Sequence, residues 1–108
     1  MSDKQHLLFV CTANRQRSPT AESLFDDDER CEAFSCGTHA VSGTECDPSL
    51  IKWADVIFCM EERHRQYLLD RFPDADRKRI VVLDIPDIYP RNDPELVMRL
   101  REKLQDWV

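Results

Sequence analysis

The stretch that decides the fold runs from Leu7 to Pro19 and reads LLFVCTANRQRSP. Its first four residues form a short apolar run that is typical of a buried strand. Its last two residues are typical of a helix start, with Ser18 as the N-cap and Pro19 at the first helical position. The sequence therefore predicts a strand-to-helix loop that begins at Cys11 and ends at Arg17.

A loop of this kind can bind a phosphate group through its main chain. Backbone N–H groups at a helix N-terminus lack an intrahelical partner, and the helix dipole adds roughly half a positive charge there. The same surroundings favour the thiolate form of a cysteine, so we expect Cys11 to be a nucleophile at neutral pH. The Arg17 guanidinium can bind two phosphoryl oxygens at once. The Ser18 hydroxyl can donate a hydrogen bond to the thiolate, and Asn14 can brace the loop from inside.

The spacing of Cys11 and Arg17 is weak evidence by itself. A lone cysteine at a strand end is more often a small buried apolar residue than a nucleophile. The strand before the loop and the Ser-Pro helix start after it favour the catalytic interpretation.

The chain resembles the low-molecular-weight protein tyrosine phosphatase family. The loop of that family reads Cys-x-x-Asn-x-x-Arg-Ser followed by Pro, and Cys11, Asn14, Arg17, Ser18 and Pro19 match it. Collinear matches continue along the chain at Ser35–Thr38, Gly43, Asp47-Pro48, Ala54–Phe58, Met60 and Asp84–Tyr89. The resemblance implies phosphomonoester hydrolysis through a cysteinyl-phosphate intermediate. It also implies that the phosphate lies against the loop residues Thr12, Ala13, Asn14, Arg15, Gln16 and Ser18.

Hydrolysis by this route needs a carboxylic acid within reach of the leaving oxygen. We predict that Asp87 is this acid, because a loop after a parallel strand lies at the sheet edge where ligands bind in open α/β folds. Asp84 is the second candidate. Asp93 is better interpreted as the N-cap of the last helix, with Pro94 in its first turn.

Three positions depart from the family pattern. Ala13 stands where the family usually has glycine, so we expect a slightly different coiling of the loop. Gln16 replaces a cysteine that can form a disulfide with the nucleophile, which excludes reversible oxidation through that neighbour. The Asp-Pro pair of the acid loop becomes Asp87-Ile88, which loosens the backbone but keeps the carboxyl group.

The substrate is less sharply predicted than the chemistry. The family lines a phenyl slot with aromatic residues, but His39–Cys46 contains none and only Tyr89 remains for that role. The longer helix and excursion that the family has between the equivalents of Pro48 and Trp53 are missing. Arg15 adds a second cation at the mouth, which suits a nucleotide or sugar phosphate as well as an acidic peptide.

Two other functions fit the same loop. Arsenate reduction would use Cys59, which lies roughly where related reductases place a resolving cysteine. Those enzymes need another cysteine shortly after it, and no cysteine follows Cys59. A non-catalytic phosphate-recognition module would typically lack the nucleophile, the arginine or the acid, and all three are present. The first prediction is thus a protein tyrosine phosphatase-like enzyme, and a phosphatase of small-molecule or nucleotide phosphates is the alternative.

The composition indicates one compact domain over residues 1–108, since the chain is too short for two. The net charge of −6 argues against a nucleic-acid partner.

Apolar runs fall short of the ~20 residues of a membrane span, and the polar start Met1–Gln5 is unlike a signal peptide. We therefore expect a cytoplasmic protein without a membrane partner. The five cysteines are odd in number and show no zinc-type spacing, so we expect neither a disulfide framework nor a structural metal. The phosphatase chemistry itself needs no cofactor.

The order of apolar segments predicts an α/β fold, a four-stranded parallel sheet with helices on both faces. The predicted strands are His6–Val10, Ala33–Cys36, Asp55–Cys59 and Arg79–Leu83, and the predicted helices are Pro19–Asp28, Glu61–Phe72 and Pro94–Trp107. Right-handed crossovers then place the Cys11 and Asp87 loops at one edge of the sheet. The acidic run Asp26–Glu29 is predicted to be a solvated turn, and the cluster Glu62–Arg65 to lie on the exposed side of its helix.

Overall fold

The computed structural model describes residues 4–40 and 43–107. Strands and helices alternate along the chain as β1 (Gln5–Cys11), α1 (Arg17–Ser23), β2 (Cys31–Gly37), α2 (Pro48–Trp53), β3 (Val56–Cys59), α3 (Glu62–Arg71), β4 (Arg79–Val82) and α4 (Pro94–Leu104). A 3-10 helix at Pro73–Arg77 leads from α3 into β4. The segment Met1–Asp3, on which part of the localisation prediction depends, lies outside the described residues.

The four strands form one parallel sheet in the order β2-β1-β3-β4. β1 is central because four consecutive apolar side chains, Leu7–Val10, can be buried only where both faces of the sheet are covered. Cys11 lies at the carboxyl end of β1, in register with Gly37 of β2. This arrangement confirms the predicted parallel sheet and brings the end of β1 to the edge where ligands bind.

The side chains of β1 alternate between two core clusters. Leu7 and Phe9 pack with α1 and α4 on one face, and Leu8 and Val10 pack with α2 and α3 on the other. The predicted helices on both faces are thereby confirmed. No helix within residues 4–40 and 43–107 combines the length and apolar character that crossing a bilayer requires.

Helix α1 begins and ends earlier than predicted. It starts at Arg17, with Gln16 at the N-cap position, so Ser18 is already inside the first turn. Ser18 is therefore not the N-cap, because its hydroxyl is used inside the loop. The helix stops at Ser23, and the acidic run Asp26–Glu29 lies in the turns that follow, as predicted.

The sequence interpretation missed α2. Asp47 caps it by accepting a hydrogen bond from the Leu50 amide at 2.9 Å, and Pro48 occupies its first turn. An Asp-Pro pair is a good start signal. The helix has only six residues, so it shows little periodicity and depends on Ile51, which is fully buried against the sheet.

A disulfide joins Cys36, at the end of β2, to Cys46, just before α2, with the two Cα atoms 5.0 Å apart. The sequence argued against a disulfide framework and offered no support for any single pair, so this cross-link was not predicted. Backbone bonds from Gly37 to Thr44 and from Cys46 to Gly37 bring the two ends of the loop together. Such a contact is not visible in the spacing of five cysteines.

Candidate active site

The loop between β1 and α1 encloses a depression of about 230 Å³ at the carboxyl edge of the sheet. We call it the thiol pocket; its lining residues are Cys11, Ala13, Arg15, Gln16, Arg17 and Asp87. The fold thus places the predicted nucleophile, arginine and acid around one concave space. No aromatic side chain is among the lining residues of the described chain.

Cys11 is held by a hydrogen bond to the helix that follows it. Its Sγ atom lies 2.9 Å from Ser18 Oγ, and Asn14 donates to that same oxygen at 2.9 Å. The Asn14 donor occupies a lone pair of the hydroxyl, and the single Ser18 proton can point at the sulfur, which is nearer than its other acceptor, the Cys36 carbonyl oxygen at 3.4 Å. That proton stabilises a thiolate more than a thiol.

Asn14 carries the sharp turn of the loop. Its φ is 56°, in the left-handed region that asparagine tolerates better than most residues. Its amide nitrogen also donates to Ser35 Oγ at 3.0 Å, and its carbonyl oxygen accepts from the Thr44 amide at 2.8 Å. Ala13, which replaces the glycine of the family pattern, does not have a positive φ. The left-handed residue of the loop is the next one, Asn14.

The chain has two glycines, and both lie against this loop. A Cβ atom at Gly37 would lie 2.5 Å from the Thr12 carbonyl oxygen and 2.9 Å from the Asn14 nitrogen. A Cβ atom at Gly43 would collide with the side chain and carbonyl of Asn14. Both glycines therefore let neighbouring backbone come close enough to support the loop.

Arg17 is almost completely buried, and Glu61 neutralises it. Its Nη1 donates to Glu61 Oε1 at 2.6 Å and to the Ile85 carbonyl at 2.7 Å. Burial alone would raise the pKa of Glu61, but hydrogen bonds from Arg17 and Arg63 bring it below its ordinary value. Nε and Nη2 of Arg17 make no hydrogen bond within the described residues, so these two donors remain for an anion in the thiol pocket.

His64 supports the loop from α3, with its ring almost fully buried. Its Nδ1 accepts from the Glu61 amide at 3.0 Å, so Nε2 carries the proton and donates to Thr12 Oγ1 at 2.8 Å. Desolvation and the nearby Arg17 and Arg63 charges lower the pKa of His64 to about 4. The prediction that Glu62–Arg65 lies on the exposed side of its helix is therefore wrong at His64. The Thr12 hydroxyl points toward this ring and accepts its hydrogen bond.

Sequence reasoning missed Glu61 and His64 as residues of the site. Their separation of three residues at the start of a helix resembles a capping box, in which side chains at the N-cap and N3 positions reach the backbone of each other. That signal could have placed them at the N-terminus of α3. It could not have shown that this terminus faces the Cys11 loop.

The three candidate aspartates occupy different places. Asp87 lines the thiol pocket with its side chain about half exposed, and its Oδ1 lies 3.8 Å from Arg17 Nε. Asp84 lies in a separate shallow depression beside Arg63. Asp93 caps α4 by accepting from the Glu95 amide at 2.8 Å, as predicted. Of the three aspartates, Asp87 is therefore the one that lines the same pocket as Cys11.

Tyr89 lies in the core, contrary to the expectation that it lines a phenyl slot. It is 7% exposed and packs in the cluster that includes Leu96 and Leu100. Its hydroxyl donates to Glu95 Oε2 at 3.3 Å. The apolar face of α4 needs a large side chain here, and the phenol tip still reaches a polar partner.

Cys59, the residue that an arsenate reductase would use, is fully buried at the end of β3. Burial raises the pKa of its thiol to about 12, with a smaller contribution from Glu62. It is not among the residues that line the thiol pocket. Its surroundings are those of a core residue.

The chain matches no protein-family model. It is similar to the protein-arginine-phosphatase of Geobacillus stearothermophilus, with 28% identity over 141 aligned positions that cover 92% of this chain and 95% of the relative. The solved structure of the YwlE arginine phosphatase from that organism superposes with a TM-score of 0.69 at 26% identity, covering 94% of each chain. The alignment is longer than the present chain, so the relative carries segments that this chain lacks.

Two further structures share the fold. Vibrio vulnificus Wzb in complex with benzylphosphonate has a TM-score of 0.77 at 22% identity, covering 96% of this chain and 97% of Wzb. The low-molecular-weight protein tyrosine phosphatase from T. tengcongensis has a TM-score of 0.72 at 23% identity, covering 97% of this chain and all of that one.

Fold, loop and relatives together define a cysteine-dependent phosphatase that hydrolyses phosphate monoesters. The chain shares its fold with low-molecular-weight protein tyrosine phosphatases and carries a loop that resembles the one of that family. The arsenate-reductase alternative is not favoured.

Proposed function

We propose that hydrolysis takes place in the thiol pocket, with Cys11 as nucleophile, Arg17 as the phosphoryl-binding cation and Asp87 as general acid and then base. The observation that carries this proposal is that these three side chains line one pocket, although Asp87 lies far in the sequence from the loop that holds Cys11 and Arg17. Ser18 and Asn14 position the nucleophile and the loop.

In the first step, the Cys11 thiolate attacks phosphorus and forms the S–P bond while the ester P–O bond breaks. The leaving oxygen takes the proton of the Asp87 carboxyl group and departs as an alcohol or phenol. Negative charge on the equatorial oxygens is met by the loop amides and by Nε and Nη2 of Arg17. Glu61 holds the guanidinium in place through Nη1.

In the second step, the Asp87 carboxylate takes a proton from a water molecule that attacks phosphorus. The new P–O bond forms and the S–P bond breaks, which restores the thiolate and releases inorganic phosphate. Asp87 ends protonated, ready for the next turnover. One ester and one water yield one alcohol and one phosphate.

We further propose that the substrate is an anionic phosphomonoester, on a protein or on a small molecule. Arg15 is exposed at the rim of the pocket and forms no ion pair within the described residues. A phosphoarginine side chain carries less net negative charge than a phosphomonoester, because its guanidinium cation offsets part of the phosphate charge, so Arg15 attracts it less strongly. The activity named for the Geobacillus relative is therefore not the one proposed for this chain.

Replacing the nucleophile tests the mechanism. We expect Cys11→Ser to lower turnover of 4-nitrophenyl phosphate by about 10³-fold or more, because a serine hydroxyl is not ionised at neutral pH. The variant should still bind inorganic phosphate, measured by calorimetry, since Arg17 and the loop amides are unchanged. Cys31→Ser is the matched control, because Cys31 is a buried free cysteine that does not line the pocket. Unchanged turnover in Cys11→Ser would exclude the proposed nucleophile.

A further inference from the structure

We propose that a second anion-binding subsite, built on Arg15 and Arg91, lies beside the thiol pocket and receives a second phosphate group of the substrate. This inference rests on the proposed function, because it concerns which phosphomonoesters the pocket selects. The chemistry it requires is a substrate that carries two phosphate groups close together.

The subsite is a second depression, of about 340 Å³, which we call the side pocket. It is lined by Asn14, Arg15, Pro19, Glu22, Ser35, Gly43, Thr44 and Arg91. Arg15 lines both depressions, so the thiol pocket and the side pocket meet at its side chain. A molecule whose first phosphate lies over Cys11 therefore has the side pocket within its immediate reach.

The two arginines of the side pocket have no electrostatic partner, a property that Arg77 and Arg101 share elsewhere on the described surface; what sets Arg15 and Arg91 apart is that they line the same depression. Both are exposed, and neither side chain forms an ion pair, a hydrogen bond or a cation–π contact within residues 4–40 and 43–107. Other arginines bind carboxylates, namely Arg17, Arg30, Arg63, Arg65 and Arg99. With 21 acidic and 15 basic residues in the chain, two uncompensated arginines at one depression form a local positive field.

The position of Arg91 is fixed relative to the phosphate loop. The amide of the next residue, Asn92, donates to Thr20 Oγ1 at 2.9 Å, and Thr20 Oγ1 itself donates to the Gln16 carbonyl at 2.7 Å. One buried hydroxyl thus joins the Arg91 turn to the end of the loop that carries Arg15. Both cations are presented from anchored backbone, which lowers the entropy cost of binding.

One carboxylate, that of Glu22, also lines the side pocket. It accepts a hydrogen bond from Ser35 Oγ at 2.5 Å, so it is turned to the network behind Asn14. Two arginines and one glutamate leave the lining with a net charge of +1. Arginine forks bind phosphate oxygens in pairs, and the polar lining suits such a group better than an apolar one.

The second phosphate can come from a neighbouring phosphorylated residue of a peptide or from a bisphosphorylated small molecule. Two substrate pairs separate these sources. One pair is a phosphotyrosine peptide with and without an adjacent phosphoserine; the other is fructose 6-phosphate and fructose 1,6-bisphosphate. For each pair the quantity measured is the ratio of kcat/KM for the doubly phosphorylated member to that for the singly phosphorylated one.

We expect wild-type protein to prefer the doubly phosphorylated member by about tenfold or more in one pair, since one charged hydrogen bond is worth at least that factor. Arg91→Gln should lower this ratio by about fivefold or more. Arg77→Gln is the matched control, because Arg77 is exposed on the 3-10 helix and does not line either depression. The pair that shows the preference identifies the source of the second phosphate.

Two results would overturn the subsite. One is a ratio near one in both pairs. The other is an equal ratio in wild type and Arg91→Gln. Either can occur while the singly phosphorylated substrates are still hydrolysed, so the proposed function would stand. If no substrate is turned over, calorimetry on Cys11→Ser decides, and equal affinity for both members of each pair excludes the subsite.

Discussion

Asp87 is held more loosely than Glu61, the other carboxylate beside Arg17. Its carboxylate lies 3.8 Å from Arg17 Nε, beyond hydrogen-bond distance, whereas Glu61 binds the same guanidinium at 2.6 Å. A close ion pair would favour the charged form of a carboxyl group and hinder proton donation. The looser placement of Asp87 therefore suits a group that must give up a proton and take one back.

Asp87→Asn tests this assignment through the leaving group. We expect kcat/KM for an alkyl phosphate to fall by about 10²–10⁴-fold, because a poor leaving group depends on the acid. The loss should be smaller for 4-nitrophenyl phosphate, whose phenolate leaves without a proton.

Asp84→Asn is the matched control, since Asp84 lies in the same loop but outside the thiol pocket. We expect it to retain wild-type rates with both esters. If Asp84→Asn lost as much activity on the alkyl ester as Asp87→Asn, the acid role would move to Asp84.

At the scale of residues, the sequence predicted those site residues that a local sequence pattern can identify. Cys11 and Arg17 stand in one loop, and Asp87 follows a strand, so local pattern was enough to propose them. Glu61 was not predicted, because its partner Arg17 lies 44 residues away and a glutamate at a helix start has an ordinary structural explanation. Tyr89 was misplaced for the converse reason, since sequence does not tell a pocket-facing aromatic from a core-facing one.

At the scale of elements, the buried strands were the best predicted. Leu7–Val10 and Ile57–Cys59 are continuous apolar runs covered on both faces, which leaves little ambiguity. The start of α1 was predicted two residues late. A serine before a proline is a strong capping signal, but here the Ser18 hydroxyl is engaged by Cys11 and Asn14.

The loop between β2 and α2 supports the site from behind. Its Gly43 and Thr44 contact Asn14, and the Cys36–Cys46 disulfide closes the loop at its base. The cross-link therefore restricts the backbone that holds Asn14 in its left-handed conformation.

Cys46→Ser should lower the free energy of unfolding by about 2–3 kcal/mol, because a disulfide with a sequence separation of ten restricts the unfolded chain. Urea unfolding without reductant measures this. Dithiothreitol serves as the internal control, since it should destabilise wild-type protein to a similar extent and leave Cys46→Ser unchanged. Equal free energies of unfolding for wild-type protein and Cys46→Ser without reductant would contradict a stabilising role of the Cys36–Cys46 disulfide.

At the scale of the whole molecule, His64 connects the stability of the fold to pH. Its ring is buried between α3 and the phosphate loop, and its pKa of about 4 lies below the value of about 6.5 that histidine has in an unfolded chain. Between these values the unfolded chain binds a proton that the folded protein does not. The contribution of His64 is therefore complete above pH 6.5 and is lost as the pH falls toward 4.

We expect this titration to remove on the order of 2–3 kcal/mol from the free energy of unfolding of wild-type protein between pH 7 and pH 4. His64→Gln keeps a donor for Thr12 but cannot bind the proton. The free energy of unfolding of this variant should therefore fall less between pH 7 and pH 4, by that same amount, and its slope against pH should be shallower. Urea unfolding at several pH values gives the slope. His39→Gln is the matched control, because His39 is exposed and its removal should leave the wild-type slope intact. Parallel slopes for wild type and His64→Gln would show that the buried ring does not carry the acid sensitivity.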